Sequence, residues 1–421
     1  MKKQQGFGQL ELLIAVLLIG VVGFSGYMVY RRNNKVENSA SSVTFNDQVA
    51  TENLSVAHNQ FGFNVLKSLA DKTDKNIMIS PTSIAMSLSM AYNGANGETK
   101  TAMQKVLSLE KLNLDQTNGA SQKLISDINS ADFGVELKIA NSLWVDKGFK
   151  VKDGALSLIK EKYSAQAQIL DFKNKESVAT INNWVNEKTK QKIPTIIDSI
   201  APESKMFLIN AVYFKGDWTT KFEKNSTEKN DFVLNNGKKI KTDFMQRYGK
   251  MSYAKTDSFE AVNLPYGKQK QVSMYLFKPK TDVNSFVKNI DAATWTSYVS
   301  KFTEKEGNLK LPKFKLSYDV SLNNTLKAIG MNIAFDPGAD FSGFAKGIFI
   351  TEVKHKTFID VNESGTEATA VTSVNVGTTS VVAEPVDTFD LSLDKPFYYA
   401  IFDSKSGSIL FSGILNNPLS E

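Results

Sequence analysis

The chain has 421 residues, with 50 Lys plus Arg against 44 Asp plus Glu, two His and no Cys. A hydrophobic fraction of 42% with 22% charged residues is globular and too apolar for a disordered chain. The lack of cysteine excludes disulfide scaffolds, thiolate metal sites and cysteine nucleophiles, and His58 and His355 alone leave almost no material for a histidine metal site. The formal charge of +6 would suggest a nucleic-acid partner if it were spread over a folded body. It is not: Lys2, Lys3, Arg31, Arg32 and Lys35 against Glu11 place +4 of it in the first 35 residues. No nucleic acid, metal or cofactor is therefore expected.

Between the two basic clusters, Leu12 to Tyr30 is a run of 19 uncharged residues. At about 1.5 Å per residue, a helix of this length matches the roughly 30 Å hydrocarbon core of a bilayer. The run has only Ser25 and some glycines to interrupt it, and no small-x-small cleavage site clearly ends it. A transmembrane helix over 12–30 is expected, after a flank over 1–11. The start of the run resembles a type IV prepilin leader: Lys2-Lys3-Gln4-Gln5-Gly6 precedes Phe7, and Glu11 stands five residues into the would-be mature chain. That resemblance implies cleavage after Gly6, methylation of Phe7, and a body outside the cytoplasm. A plain signal anchor is the alternative, and the nearly balanced basic flanks on the two sides do not by themselves set the orientation. Residues 31–55 hold Asn, Ser, Thr and Glu without a sustained apolar period and are expected to be a flexible linker. The folded body is expected over 56–421.

Phe61, Val65, Leu66 and Leu69 recur at helical spacing. Ile77-Met78-Ile79 predicts a short strand, and Ser80-Pro81 opens a helix through Tyr92, with Pro in the first turn. His58, just before the first amphipathic stretch, is expected at the surface or in a cap. Met206 to Phe214 is apolar apart from Asn210, as in a strand buried on both faces. From Asp231 to Lys278 short strands alternate with turns at Asn235-Asn236-Gly237, Tyr248-Gly249 and Tyr266-Gly267. Helices are predicted near Asn284–Phe302 and Val320–Ile329, then strands over Phe397–Phe402 and Ile409–Leu415. Helices early and strands late, without steady alternation, make an α+β fold.

More than 30 residues between the strand near Lys356–Val361 and Pro396 show no obvious packed element. A structureless stretch of that length is usually functional or disordered. Its composition is not that of disorder: Thr366 to Val382 is mostly Thr, Val, Ala and Ser, with no proline before Pro385 and no Lys or Arg between Lys356 and Lys395. A long segment with strand propensity and no proline is an aggregation hazard that folds usually avoid.

Four blocks around this segment closely resemble the serpin family, with the similarity covering roughly Val56 to Pro418. They are Ile79-Ser80-Pro81-Thr82-Ser83-Ile84, Asn210 to Trp218 (Asn-Ala-Val-Tyr-Phe-Lys-Gly-Asp-Trp), Glu363-Ser364-Gly365-Thr366-Glu367-Ala368-Thr369-Ala370, and Leu393 to Tyr399 with Leu410-Phe411-Ser412-Gly413 and Asn417-Pro418. The resemblance implies a large central sheet, further sheets, surrounding helices and an exposed reactive loop, here about 363–392. It implies a monomeric suicide inhibitor rather than an enzyme. The target protease attacks the loop and forms a covalent acyl complex, and the cut loop enters the central sheet as a new strand. The chain supplies no catalytic residue, and no G-x-S-x-G, P-loop or H-E-x-x-H motif is present.

Further roles are implied by the same resemblance. Residues 363–370 would form the hinge, and Glu363 would pair with Lys313 on a neighbouring strand. Ser80, Ser83, Asn210, His355 and Trp218 would sit where the sheet opens. An inserting strand must send alternate side chains into a packed sheet. From Thr366 the inward set is Thr366, Ala368, Ala370, Thr372, Val374, Val376 and Thr378, none charged or larger than Val. This favours an active inhibitor over a non-inhibitory binding or structural module on a surface or pilus-like assembly. Thirteen residues beyond Thr366 the scissile bond falls between Thr379 and Ser380, with Val381, Val382 and Ala383 as further candidates. Counting back from Pro396 instead gives Pro385, a poor scissile residue. Small and β-branched residues there suit elastase-like or subtilisin-like serine proteases rather than trypsin-like ones.

Overall fold

The computed structural model describes residues 45–71, 73–130, 134–366 and 387–420. The segments expected to hold the leader (Gly6, Phe7, Glu11) and the membrane span over 12–30 lie outside these residues. Among the described residues no helix is long and apolar enough to cross a membrane.

Contacts divide the chain at Val49/Ala50, and of the first unit only the opening turn of one helix is described. That helix, α1 (Phe45–Ala70), corrects the expected linker, which was to run to residue 55. Ala50, Thr51, Leu54 and Ser55 are buried. The polar residues between them hid the period, because Thr and Ser are small enough to pack on the inner face. His58 lies on the face that Leu54, Phe61 and Val65 share, at helical spacing, and is fully buried instead of capping or facing water. Neither of its ring nitrogens has a hydrogen-bond partner among the described residues, and burial lowers its pKa to about 3.

Two sheets carry the rest. The first has six strands in the order β10 (Phe314–Ser321), β11 (Ile350–Asn362), β12 (Gly365–Thr366), β4 (Met206–Asp217), β2 (Val135–Asp146) and β3 (Gln166–Leu170). The second has nine, running β1 (Ile77–Ile79), β15 (Ser408–Leu415), β14 (Phe397–Asp403), β8 (Val272–Pro279), β7 (Phe259–Pro265), β6 (Lys239–Lys255), β9 (Thr303–Pro312) and β13 (Phe389–Ser392), with β5 (Glu228–Val233) added to β6. β4 is buried along nearly its whole length, as expected of a central strand with apolar side chains on both faces. Helix α2 (Pro81–Tyr92) is buried at every residue and packs against β2, β4 and β15, between the two sheets. Helices α3 (Gly97–Val106), α4 (Leu114–Asn129), α5 (Ala155–Tyr163) and α6 (Glu176–Lys188) follow, then α7 (Val283–Lys288) and α8 (Ala292–Val299). The helix predicted near Val320–Ile329 begins only at Asn323, because Phe314–Ser321 is strand β10.

Among the described residues, the stretch that appeared to lack packed elements contains two short strands. β12 is one; the other, β13, runs parallel to β9, with Phe389 stacked on Tyr253 at 4.3 Å between ring centroids. The expected loop over 363–392 is thus anchored at both ends.

Candidate functional site

The parallel pairing of β11 and β4 is where the six-stranded sheet would have to part. Its register sets His355 opposite Asn210, and the antiparallel pairing of β4 with β2 sets Asn210 opposite Asn141. Three polar side chains thus form one row across three strands. Asn210 donates to the Asn141 Oδ1 and to the Ser83 hydroxyl, and its own Oδ1 meets His355 Nδ1. The Ser80 backbone N–H donates to His355 Nε2 at 3.1 Å, so the ring is the neutral tautomer with its proton on Nδ1. Burial lowers its pKa to about 3, against a smaller opposing pull from the Asp319 carboxylate. The imidazole stays neutral and bridges α2 to the sheet.

Of the five residues grouped at the sheet opening, Ser80, Ser83, Asn210 and His355 meet here. Ser80 contributes its backbone N–H, and its hydroxyl makes no cap at α2. Trp218 does not join them. It follows the end of β4, eight residues beyond Asn210, and belongs to a second cluster. Asn141 was missed because β2 also holds Glu136, Lys138 and Ser142, so its amide does not stand out there as Asn210 does in β4.

The second cluster holds the hinge. β11 and β4 pair directly only as far as Phe358 and Tyr213. Beyond that point β12 lies between them, with Thr366 opposite Val361 on one side and Gly216 on the other. Gly365 has φ +152°, and a Cβ there would sit 2.1 Å from the Gly216 carbonyl oxygen, so the strand enters only because this residue is glycine. Thr366 is fully buried, and its hydroxyl lies 2.8 Å from that of Tyr266. Tyr266 stacks on Trp218 at 4.4 Å, and Trp218 Nε1 donates to the Asn362 carbonyl at 2.9 Å. The backbone N–H groups of Trp218 and Phe222 donate to Ser364 and Glu363 carbonyls at 3.1 and 2.9 Å. The segment after β4 therefore clamps residues 362–364 at their backbone, a role no side-chain pattern announces.

Glu363 is 7% exposed, and its carboxylate lies 3.1 Å from Lys313 Nζ and accepts from the Thr227 hydroxyl at 2.9 Å. Burial pushes this carboxyl upward, but its own backbone N–H, Thr227 and Lys313 together hold it below the ordinary glutamate value. The other hinge residues, Glu367, Ala368, Thr369 and Ala370, and the scissile candidates Thr379, Ser380, Val381, Val382 and Ala383 lie outside the described residues.

A polar contact thus joins two parallel strands, and a short strand lies between them at one end. Comparison with known proteins gives the family. Residues 56–418 match the family model for serpins, described as serine protease inhibitors. An uncharacterized serpin-like protein of Thermococcus kodakarensis is 32% identical over 97% of this chain and 98% of its own length. Human serpin B4 is 31% identical over 87% of this chain and 99% of its own. The crystal structure of the thermophilic serpin tengpin in the native state superposes with a TM-score of 0.79, at 32% identity, covering 86% of this chain and 94% of that one. The chain belongs to the serpin family.

Proposed function

We propose that this serpin is a membrane-tethered suicide inhibitor of elastase-like or subtilisin-like serine proteases. The observation that carries the inhibitory part is the position of β12: Gly365 and Thr366 already pair with both flanking strands. Each inward residue that would follow is small or β-branched and uncharged through Thr378. A cut loop can zip downward between β11 and β4 by exchanging their direct pairing, and the His355–Asn210 contact, for pairing to itself. The intact chain is then a kinetically trapped state, released by the cut.

The protease serine attacks the Thr379 carbonyl, and the peptide bond to Ser380 breaks. The Ser380 amine takes up the serine proton and leaves as a new N-terminus, and Thr379 is left as the acyl group on the protease serine. Translocation of the protease with the inserting strand distorts its active site before water can release it. A small β-branched residue at that position suits a shallow apolar specificity pocket. The tether rests on the uncharged run over 12–30 between basic flanks, and places the inhibitory body outside the cytoplasm, by a processed leader or a plain signal anchor.

Incubation with an elastase-like protease tests the reading. A denaturant-resistant covalent complex and a fragment beginning at Ser380 are expected. Turnover of the loop with no complex would instead assign the chain to the binding or structural alternative.

A further inference from the structure

The triplet Asn-x-Ser/Thr, with x other than proline, is the acceptor read in N-glycosylation. It occurs four times, as Asn53-Leu54-Ser55, Asn225-Ser226-Thr227, Asn323-Asn324-Thr325 and Asn362-Glu363-Ser364. The triplet alone selects none of them. The fold does, because a glycan is bulky and needs an asparagine that reaches water.

Asn323 spends both ends of its amide inside: Nδ2 donates to the Thr351 carbonyl at 2.8 Å, and Oδ1 accepts from the Val353 N–H at 2.9 Å. Asn362 belongs to the clamped hinge, where its carbonyl takes the Trp218 indole N–H and its Oδ1 accepts from the Ser364 N–H at 3.0 Å. Asn53 is half-buried in α1, and Ser55, the hydroxyl residue of its triplet, is buried against Ser408. Asn225 differs. It stands in a single 3-10 turn, Lys224–Ser226, and every residue from Glu223 to Ser226 is exposed. The turn is closed by its own backbone, Ser226 N–H to the Glu223 carbonyl and Thr227 N–H to the Lys224 carbonyl, at 3.0 and 3.1 Å. The Asn225 amide has no hydrogen-bond partner among the described residues.

We propose that Asn225 carries an N-linked glycan. The donor is a lipid-linked oligosaccharide: a bond forms from Asn225 Nδ2 to the sugar C1, and the C1–O bond to the lipid phosphate breaks. The amide gives up one proton, and the lipid phosphate leaves with the electron pair. In the finished fold the Thr227 hydroxyl, part of the acceptor triplet, is given to the Glu363 carboxylate at 2.9 Å. Transfer therefore precedes closure of the hinge, and the fold then accommodates the sugar at Asn225 without loss of a buried contact. The inference rests on the reading that places the body outside the cytoplasm.

The test takes the full chain from the cells that make it and maps its peptides by mass. Labelling of lysines on intact spheroplasts with a membrane-impermeant reagent runs alongside and reports the position of the body separately. A sugar mass on the peptide that holds Asn225 is expected in most copies, with none on Asn53, Asn323 or Asn362. Asn225→Gln and Thr227→Val should each lose the sugar, and Thr227→Ser should keep it. A body that takes the label while Asn225 is bare overturns the site and leaves the export reading standing. A bare chain whose body takes no label overturns both. A sugar that persists in Asn225→Gln, or that sits on another asparagine instead, also overturns the site.

Discussion

The hydroxyl groups of Thr366 and Tyr266 lie 2.8 Å apart with both side chains fully buried. It is a polar contact that holds β12 between β11 and β4. Tyr266→Phe leaves the Thr366 hydroxyl without a partner in a dry site, at a cost of about 1–3 kcal/mol. Amide exchange at Gly365 and Thr366 should accelerate in that variant. Tyr266→Phe combined with Thr366→Val should recover part of the protection, because both polar groups are then gone. Unchanged exchange in the single variant would remove Tyr266 from this role.

Gly365→Ala tests the close approach to β4. The new methyl would overlap the Gly216 carbonyl, 2.1 Å away, and Asp217 Cα, 2.7 Å away, both backbone atoms with nowhere to go. The hinge should leave the gap rather than distort β4. Faster proteolysis after residue 364 is expected, with a higher molar ratio of inhibitor needed per protease inactivated. A variant as resistant as the parent chain would show that the gap is more compliant than its geometry allows.

Thr366→Arg places a charge where the inward face of the inserted strand meets a packed sheet. Burying an unpaired guanidinium there costs several kcal/mol. Insertion should stall and deacylation should win, converting the inhibitor into a substrate cleaved near Thr379. Continued formation of a stable covalent complex would contradict the inward assignment of Thr366 and, with it, of Ala368 and Ala370.

Acidification should weaken the fold through its two histidines. Both are neutral inside, with pKa values lowered to about 3 from an ordinary 6.5. Above 6.5 neither fold nor unfolded chain holds these protons, and the stability is fully present. Between about 6.5 and 3 the unfolded chain takes up protons that the fold refuses, so stability falls as pH falls. The slope is at most about 1.4 kcal/mol per pH unit for each histidine. His58→Leu loses no hydrogen bond and removes two unpartnered nitrogens. It should raise the melting midpoint at pH 7 and roughly halve the fall between pH 6.5 and 5. An unaltered pH profile in that variant would mean that His58 reaches water or a partner.

The family-specific blocks are local, and each is spelled in consecutive residues: the strand into Ser80-Pro81, the Asn210–Trp218 stretch, the hinge, and the closing strands. The order of helices and strands made an α+β fold legible in the sequence, and these blocks made the family legible. The charge asymmetry was legible too, since it needs only counting. What could not be read was anything that depends on which strands become neighbours. The first turns of α1 looked like linker because their buried residues include Thr51 and Ser55, whose burial is a property of what packs against them. His58 looked like a surface residue for the same reason, since a ring with no partner gives no sequence signal. Trp218 was grouped with Asn210 by the family resemblance, but an extended strand carries eight residues roughly 26 Å, and the structure gives the Trp to the hinge.

The sequence alone therefore determined the class of fold, the presence of a long segment fit to become a strand, and the small side chains that suit it to insertion. All of these follow from local composition and from the two-residue period of an extended chain. Only the tertiary structure decided that Asn141, Asn210 and His355 stand in one row and that two residues of the hinge already occupy the gap. Strand register and side-chain burial are set by contacts between residues far apart in the chain, and no local window contains both partners.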